Sequence, residues 1–475
     1  MESTIVAGQP GSGKTIVASH RAAYLVHPDT PAERTLDGKV LLVGPTAGYS
    51  KHVRGVINKL ATQQDRIIVL SLDELLLRLR GSTVTPQGPA SEIWQDASAD
   101  LARAVRDAIA RGRETRGTLN ATQVYESLLA ESRAERDPEM RQYLSKLPLL
   151  RNALGRRRFV PLLAYIKVAL GIPDDLRGVE HIIVDEAQDV TGLEWAILEA
   201  LNEANQWTIL GDLNQRRSDH TLSSWAHIID LAKPASEAQV QSLKRCYRST
   251  QPILRYANRL LSREHRDVDA FRVDGPEPVV VRAKAKELGT IALVAVERLL
   301  HDYPDGTVAA ICTDPEVVRG ALRKAGWRAE SRQPTRWVKD GRGVDVLHHD
   351  DARGIEFDGV VVVEPAAFPR YFDKNGPLYT ALTRANRELV VVHAEALPDR
   401  LKLRRSETSK TSSTGGPITR ELTDVTFPNE LQKSHIRRLL ADDAVRAEQL
   451  IASLSERNYH HAVCFEIAKL EGTAG

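Results

Sequence analysis

Short runs of consecutive apolar residues alternate with amphipathic stretches through the first 215 residues of the chain. Such runs predict strands that are buried on both faces, and apolar residues at helical spacing, as in residues 16–25, predict the helices between them. The pattern therefore predicts a parallel α/β sheet. Its predicted strands are Ile5–Ala7, Lys39–Pro45, Arg66–Leu70, His181–Val184 and Gln206–Leu210.

A second series of apolar runs follows further along the chain and predicts a second α/β domain. The helical stretch Leu288–His301 belongs to it. This part of the sequence has no phosphate-binding loop of its own. Its predicted strands are Pro278–Arg282, Thr307–Cys312, Val344–Leu347, Val360–Val363 and Leu389–Val392.

The remaining segments differ from these two domains in amino-acid composition and in hydrophobic pattern. Residues 81–177 are helical in pattern and rich in Arg and Ala, which predicts an inserted helical subdomain. Residues 406–416 are rich in Ser and Thr and predict a flexible linker, and the chain beyond them predicts a small helical tail. The predicted domains are residues 1–80 with 178–245, residues 81–177, residues 246–400 and residues 401–475.

Composition narrows the class of protein. With 42% hydrophobic and 27% charged residues, the 475-residue chain is typical of a folded protein. The net charge is only +2, so any contact with nucleic acid has to come from local basic patches. The clusters Arg111–Arg113 and Arg156–Arg158 fit either contact with phosphate backbones or a solvated helix surface, and both interpretations stay open.

The number and positions of the cysteines, together with the hydropathy of the chain, indicate the cellular compartment. The three cysteines, Cys246, Cys312 and Cys464, are scattered and predict neither a metal cluster nor a disulfide framework, which fits a reducing cytoplasm. No apolar run approaches the roughly 18 residues of a membrane span. The first residues do not resemble a signal peptide, so we expect a cytoplasmic protein without membrane contact.

Residues Gly8–Thr15 read GQPGSGKT and match the phosphate-loop pattern Gly, four residues, Gly-Lys-Thr. A Gly-rich turn that contains a lysine by chance is the alternative, but strand, loop and helix follow in the order that a phosphate loop requires. Lys14 is expected to reach the β- and γ-phosphates, and Thr15 to hold Mg²⁺. The other loop residues expected to contact the phosphates are Gly8, Gly11, Ser12 and Gly13.

Two further strands end in polar residues. Asp185 and Glu186 follow the fourth strand at the edge where ligand sites of α/β sheets form. Asp185 can hold Mg²⁺ and Glu186 can accept a proton from an attacking water, although the pair could also cap a helix. Gln215 follows the next strand and is positioned to sense a γ-phosphate or to orient water. A loop hydrogen bond is its alternative role.

Polar residues also recur at helical spacing near residue 380. Thr380, Thr383, Arg384 and Arg387 are predicted to share one helix face. This face could be exposed to solvent, or it could equally direct an arginine at a nucleotide.

Taken in order, the segments GQPGSGKT, VDEAQD, GDLNQ, CYRST, RGIEFD and LYTALTRANREL resemble motifs I to VI of the superfamily 1A helicases, the UvrD/Rep family. The segments HRAAYLV, LLVGPT, SSWAHI and LVVVH are most similar to the HelD-like branch. The resemblance implies an α/β fold with two RecA-like P-loop NTPase domains, an inserted helical subdomain and a small helical C-terminal tail. ATP and Mg²⁺ are the implied cofactors.

The resemblance also implies a role for each matching residue. Lys14 and Thr15 bind phosphate and Mg²⁺, Asp185 binds Mg²⁺, Glu186 activates water, and Gln215 couples the γ-phosphate to movement. Tyr247 stacks on adenine, Arg248 and Arg384 stabilise the transferred charge, and Gly354 and Glu356 contact the nucleotide. For nucleic acid, Thr46 and Trp225 are the candidates, with Trp225 as a stacking platform or, equally, a core residue.

Three departures from the family are visible. No glutamine motif precedes the phosphate loop, Cys246 replaces the usual Asn before Tyr-Arg, and the short segment between motifs IV and V leaves no room for a large 2B subdomain. The leading hypothesis is an ATP-driven motor that translocates on or unwinds single-stranded or tailed DNA, with the 3′-to-5′ direction that the family implies. The alternatives are an ATP-driven switch that binds RNA polymerase or another complex, and a helicase subunit of a repair or defence complex with a nuclease partner.

Overall fold

The computed structural model describes residues 3–88, 99–131, 137–216, 221, 224–262, 266, 269–331, 333–352, 354–371, 374–402, 433, 436–437, 440 and 444–457. The chain divides into two compact units. Unit 1 comprises Met1–Gly275, His349–Glu356 and Phe368–Arg387. Unit 2 comprises Pro276–His348, Phe357–Ala367 and Glu388–Gly475.

The described strands and helices are numbered in chain order. The strands are β1 Thr4–Gly8, β2 Lys39–Gly44, β3 Ile67–Ser71, β4 Val179–Val184, β5 Gln206–Gly211, β6 Gln239–Leu243, β7 Arg245–Thr250, β8 Asp269–Arg272, β9 Val279–Arg282, β10 Val308–Cys312, β11 Arg328–Glu330, β12 Gln333–Lys339, β13 Arg342–His348, β14 Phe357–Val363 and β15 Ala385–His393. The helices are α1 Lys14–Leu25, α2 Ala47–Leu60, α3 Leu72–Arg80, α4 Ala99–Arg116, α5 Ala121–Glu131, α6 Pro138–Ser145, α7 Leu150–Leu154, α8 Val160–Leu170, α9 Gly192–Leu201, α10 Trp225–Ala232, α11 Gln251–Ala257, α12 Leu288–Asp302, α13 Pro315–Lys324, α14 Gly376–Leu382 and a last helix, Ala444–Arg457.

Unit 1 is built on a six-stranded parallel sheet in the order β3-β2-β4-β5-β1-β6. The register places Ile5 of β1 opposite Ile209 of β5, and Val43 of β2 opposite Val184 of β4. Because all of these strands run the same way, the residues that follow β1, β4 and β5 meet at one edge. The predicted α/β fold is confirmed, and the sheet brings the predicted site segments together.

Both faces of this sheet are covered, as its continuous apolar runs predict. Leu41 and Val43 of β2 pack into one buried cluster with α3, α4, α8 and α9, while Val40 and Leu42 pack into a second cluster with α1 and α2. The first cluster includes the tilted pair Trp195 and Trp207, whose ring centroids lie 5.9 Å apart. Each fully buried Leu or Val side chain of the two clusters contributes about 1.5–3 kcal/mol.

The segment predicted as a helical insertion contains α4 to α8. Its apolar residues, such as Val105, Leu128 and Ile166, belong to the same buried cluster as β2 and β4 of the sheet. The described part of residues 81–177 therefore has a core continuous with that of unit 1, although its helical composition had suggested a separate subdomain.

Unit 2 contains a seven-stranded sheet in the order β11-β12-β13-β10-β14-β15-β9. Parallel pairs join β10 to β13 and β14, and β9 to β15, as the apolar runs predicted. The antiparallel strands β11 and β12 were not predicted. In β12, QPTRWVK, only Trp337 is buried, so this edge segment lacks the apolar run that marks the inner strands.

The observed units divide the chain differently from the predicted domains. Residues 246–275 belong to unit 1, in which β7 and β8 form a small parallel sheet of their own. Residues 349–356 and 368–387 also belong to unit 1. The predicted domain at 246–400 is thus shared between the two units, and the four-part division stays a prediction.

The tail is described only in part. Ile436 packs with Ala447, Ile451 and Leu454 of the last helix. The predicted linker at 406–416 lies outside the described residues. In the part of the chain that the structure describes, no helix combines the length and the apolar composition that crossing a membrane requires.

One buried histidine makes the stability of unit 1 dependent on pH. His181 of β4 is fully buried, and its Nε2 lies 2.8 Å from Thr208 Oγ1 of β5. Burial first, and then the charge of Arg21, lowers the pKa of His181 from 6.5 to about 3. Below about pH 6.5 the imidazole of His181 is protonated in the unfolded chain, whereas in the folded chain it stays neutral until the pH approaches 3. This contribution to stability is therefore fully present above pH 6.5 and is lost as the pH falls towards 3.

We expect the thermal midpoint of the protein to fall between pH 7 and pH 5 more than that of His181→Gln, which has no titrating ring. A single group of this kind costs up to about 1.4 kcal/mol per pH unit. Calorimetric scans of both proteins at a series of pH values measure the difference. Identical pH slopes for the two proteins would contradict the assignment.

Candidate active site

The phosphate loop closes tightly between β1 and α1. Gly11 and Gly13 have left-handed φ angles of 71° and 88°, which favour glycine. A Cβ on Gly11 would lie 2.5 Å from Arg248 Cβ and 2.8 Å from Cys246 Sγ, so β7 packs directly on the loop. A Cβ on Gly13 would meet nothing within 4 Å. Gly11 is thus required both by its conformation and by its neighbours, and Gly13 by its conformation.

Lys14 and Ser12 place polar atoms inside this loop. Lys14 is buried, and its Nζ donates hydrogen bonds to the carbonyl oxygens of Gly8 at 2.8 Å and Gln9 at 3.3 Å. Ser12 Oγ is buried and has no hydrogen-bond partner among the described residues. A buried hydroxyl without a partner costs free energy, and a phosphate oxygen satisfies such a donor. These atoms therefore suit the predicted phosphate ligand.

Asp185 follows β4 and faces the phosphate loop. Its Oδ2 accepts hydrogen bonds from Thr15 Oγ1 at 2.7 Å and from Tyr49 OH at 2.9 Å, and its Oδ1 accepts one from the backbone N–H of Glu186. Burial raises the pKa of the Asp185 carboxyl, and the neighbouring charge of Glu186 raises it further. Hard oxygen ligands such as these are the ones that Mg²⁺ prefers, so Thr15 and Asp185 suit the predicted ion.

Glu186 has a left-handed backbone, with φ of 56° and ψ of 41°. A non-glycine residue in this region costs of order 1 kcal/mol or more, and such strain is concentrated at functional sites. Burial alone would raise the pKa of Glu186. The charges of Lys14, Arg384 and Arg248 and a hydrogen bond from Gln188 outweigh burial, so that its pKa lies below the ordinary value. Glu186 is therefore ionised at neutral pH, as a base must be.

A chain of hydrogen bonds leads from Glu186 to Arg384. Gln188 Nε2 donates to Glu186 Oε2 at 2.7 Å, and Gln188 Oε1 accepts from the backbone N–H of Asp212 at 2.9 Å. Gln215 Nε2 donates to Asp212 Oδ2 at 3.0 Å, and Arg384 NH2 donates to Gln215 Oε1 at 3.0 Å. Segments far apart in sequence are thereby joined by buried side chains.

Arg384 is the buried arginine of the site. Besides Gln215, it donates to the carbonyl oxygens of Thr380 and Ile355. Burial, followed by repulsion from Arg248, lowers the pKa of Arg384 to about 10, which leaves it charged at neutral pH. The prediction that Arg387 shares a helix face with Arg384 is wrong, because α14 ends at Leu382 and Arg387 lies exposed in β15.

One pocket of unit 1 is lined by the predicted nucleotide residue Gly354 together with Glu186, Gln215 and Arg384. Arg248 pairs with Glu356, and Gly354 has a left-handed φ of 63°. Arg353 of the same motif lies outside the described residues. Residues lining the pocket are Pro45, Glu186, Gln188, Asp189, Gln215, Gly354, Thr380 and Arg384. Thr380 Oγ1 is buried without a partner among the described residues, so a hydroxyl that lines the pocket is unsatisfied.

Tyr247 differs from these residues in being exposed. Its backbone N–H donates to the carbonyl oxygen of Gly11 at 2.9 Å, so its position is tied to the phosphate loop. Its side chain is 57% exposed and contacts Phe271. A flat, exposed ring beside a phosphate loop suits the predicted stacking role.

The two predicted nucleic-acid residues have structural contacts of their own. Thr46 is exposed and caps α2, where its Oγ1 accepts a hydrogen bond from the backbone N–H of Tyr49 at 3.2 Å. Trp225 begins α10 and is half-buried against the core, and a Cβ on Gly211 would lie 3.2 Å from its Cη2. Contact with nucleic acid stays a prediction for both.

Tyr49, Gln188 and Asp212 take part in the site but were not predicted from the sequence. Gln188 and Asp212 lie inside the segments VDEAQD and GDLNQ, so their place after a strand end, next to the predicted site residues, is the signal that identifies them. Tyr49 carries a weaker signal. It packs on Gly44, where a Cβ would lie 2.0 Å from its ring, and a glycine at the end of β2 is compatible with such an approach.

Comparison with known proteins agrees with this geometry. Residues 1–220 match the AAA_19 family, described as an AAA domain. The ATP-dependent DNA helicase UvrD2 of Mycobacterium tuberculosis is 29% identical over 164 residues, which are 30% of this chain and 22% of that protein. The ATP-dependent DNA helicase srs2 of Schizosaccharomyces pombe is 30% identical over 104 residues, 22% of this chain and 12% of that protein. The chain thus spans less than a quarter of the length of these curated relatives.

Two solved structures are also similar to the chain. The C-terminal domain of a possible DNA helicase from Lactobacillus plantarum is 28% identical, with a TM-score of 0.25, over 33% of this chain and 91% of that one. The PRRSV helicase is 15% identical, with a TM-score of 0.31, over 82% of this chain and 52% of that one.

The contact between Tyr49 and Asp185 generates a prediction that does not depend on any ligand. Tyr49→Phe removes one donor from a buried carboxylate, which costs about 1–2 kcal/mol. We expect the midpoint of thermal unfolding at pH 7 to fall by a few degrees, about 2–4 °C per kcal/mol. Tyr24→Phe, which removes the hydroxyl of a partly buried tyrosine on α1, is the control. Equal midpoints for the two variants would show that the hydroxyl does not support Asp185.

Proposed function

We propose that this chain is a member of the UvrD-like family of superfamily 1A, that it hydrolyses ATP with the side chains of unit 1, and that it uses the reaction to move on or unwind DNA. The observation that carries the proposal is a set of polar contacts: Lys14 is held inside the loop, Thr15 bonds Asp185, and a hydrogen-bonded series leads from Glu186 to Arg384. The HelD-like branch and the division into two RecA-like domains with an inserted subdomain remain parts of the proposal.

Binding of the triphosphate follows from the loop geometry. Lys14 now donates to two loop carbonyls, and phosphate oxygens are stronger acceptors for the same ammonium group. The N–H groups at the start of α1 and the helix dipole add to this attraction. Thr15 and Asp185 would hold Mg²⁺, which neutralises developing charge on the phosphates.

Hydrolysis needs a base and a group that stabilises charge. Glu186 is ionised and lines the pocket, so it can take the proton from a water that attacks the γ-phosphorus. The oxygen–phosphorus bond to the leaving diphosphate then breaks as the new bond to the water oxygen forms. Arg384 lines the same pocket and stays charged, so it can stabilise the transferred group.

Gln215 connects this chemistry to conformation. It receives a hydrogen bond from Arg384 and donates one to Asp212, so a change at the γ-phosphate can be transmitted through it to both partners. The buried chain has two ends, Glu186 and Arg384, and both line the pocket.

The first test separates binding from hydrolysis. Lys14→Ala is expected to lower both ATP affinity and the rate of hydrolysis, the latter by about 10²-fold or more. Glu186→Gln keeps the shape of the side chain but removes the base, so it is expected to bind ATP and not to hydrolyse it. Steady-state phosphate release, with and without single-stranded DNA, and ATP binding measure the two effects.

Lys51→Ala is the control, because Lys51 is exposed on α2. Hydrolysis that survives Lys14→Ala would rule out the site. Hydrolysis that is normal but unaffected by DNA, together with a co-purifying protein such as RNA polymerase or a nuclease, would replace the motor by the ATP-driven switch or the subunit of a larger complex. Neither movement on single-stranded DNA nor unwinding of a tailed duplex would then be observed, whereas the motor is expected to move in the 3′-to-5′ direction.

The two neighbouring arginines provide a second test. Arg384→Ala is expected to lower the turnover number by about 10³-fold with little change in ATP affinity, because such arginines act mainly on the transition state. Arg387→Ala is the matched control, since Arg387 is exposed three residues away. The same loss in both variants would contradict the separate placement of these side chains.

A further inference from the structure

Unit 1 exposes a pair of aromatic side chains beside the phosphate loop. Tyr247 is 57% exposed and Phe271 is 65% exposed, yet their ring centroids are 5.8 Å apart with an interplanar angle of 35°. This separation lies within the range of favourable aromatic contacts. Two large rings that contact each other while facing solvent suggest a surface that is covered when a ligand binds.

The strand pattern explains why both rings are on the outside. Cys246 of β7 pairs with Ala270 of β8, and both side chains are buried together with Leu254. Successive side chains of a strand point to opposite faces. The next residue in each strand, Tyr247 and Phe271, is therefore directed to the exposed face, and the two rings meet there.

The small sheet of β7 and β8 is hydrogen-bonded to the phosphate loop and packs against it. The backbone N–H of Tyr247 donates to the carbonyl oxygen of Gly11, and Gly11 has no room for a side chain because Cys246 and Arg248 press on it. The ring pair consequently has a defined place next to the residues expected to bind phosphates. A ligand with phosphates at one end and a flat aromatic group at the other, namely a nucleoside triphosphate, fits this arrangement.

We propose that Phe271 is a positioning residue for the nucleobase: it holds the Tyr247 ring in the orientation in which the base stacks on it. The proposal rests on the proposed function and extends it to a residue outside the six motifs. A base does not enter between the two rings, because at 5.8 Å they already contact each other. It stacks on the tyrosine, and the phenylalanine restricts the rotation that the tyrosine would otherwise have.

Stacking of this kind sets affinity for the base and leaves the chemistry at the phosphates unchanged. Phe271→Ala is therefore expected to raise KM for ATP by about three- to tenfold, with kcat within about twofold of the parent. Phe271→Tyr keeps the ring and should restore KM. Phe271→Leu keeps apolar volume without a ring and should not. Inorganic tripolyphosphate has no base, so its inhibition constant should be the same in all of these proteins.

A double-mutant cycle tests whether Phe271 acts through Tyr247. In the background of Tyr247→Ala, the further change Phe271→Ala should add less than about twofold to KM, because the ring it positions is gone. Val273→Ala is the control for a change on the same edge, since Val273 is 68% exposed and has no ring. Full additivity of the two ring deletions would overturn the positioning role.

The remaining outcomes separate this proposal from the proposed function. If Phe271→Ala leaves KM for ATP unchanged and weakens only the response to single-stranded DNA, the ring pair belongs to a nucleic-acid surface and the proposal is wrong. If the parent protein hydrolyses no ATP, the proposed function fails. Equilibrium binding of ATP and tripolyphosphate to the parent and to Phe271→Ala then still tests the role of Phe271.

Discussion

The carboxylate of Asp185 is the constraint on which the rest of the site depends. It is buried at the end of β4, where an unpaired charge would cost several kcal/mol, so it has to be surrounded by donors. Thr15 from α1 and Tyr49 from α2 supply hydroxyl donors, and the left-handed backbone of Glu186 supplies an N–H. Satisfying one carboxylate thus orients the ends of three elements and places Glu186, the proposed base, beside the phosphate loop.

From that point the polar network continues in one direction only, through buried side-chain amides to an arginine. Gln188 and Gln215 each use an N–H donor and a C=O acceptor, so each connects two neighbours instead of ending the chain. If one hydrogen bond of such a buried series is lost, a polar group is left without a partner in a low-dielectric environment, which costs free energy. This cost favours an arrangement in which every member of the network keeps its hydrogen-bond partners.

Much of the fold could be predicted because its causes are local. The inner strands are continuous apolar runs, and the helices between them have apolar residues at helical spacing, so each short window contains its own signal. Strands β11 and β12 and the small sheet of β7 and β8 have no such run, because exposed, half-buried or polar residues interrupt each strand, and they were missed. The division of residues 246–400 between two units likewise depends on contacts between residues that are far apart in sequence, which a short stretch of sequence does not show.

The sequence by itself determined the phosphate loop, the acid pair after β4, and Gln215 after β5, because these residues act through fixed spacing from a strand end. Only the tertiary structure decided which of two nearby arginines is buried, that Tyr49 supports Asp185, and that Phe271 contacts Tyr247. The physical reason is separation along the chain: Tyr49 is 136 residues from Asp185, and Arg384 is 169 residues from Gln215. Contacts between residues so far apart in sequence arise from the order of the strands in the parallel sheet and from the packing of helices on it, and residue type alone does not specify them.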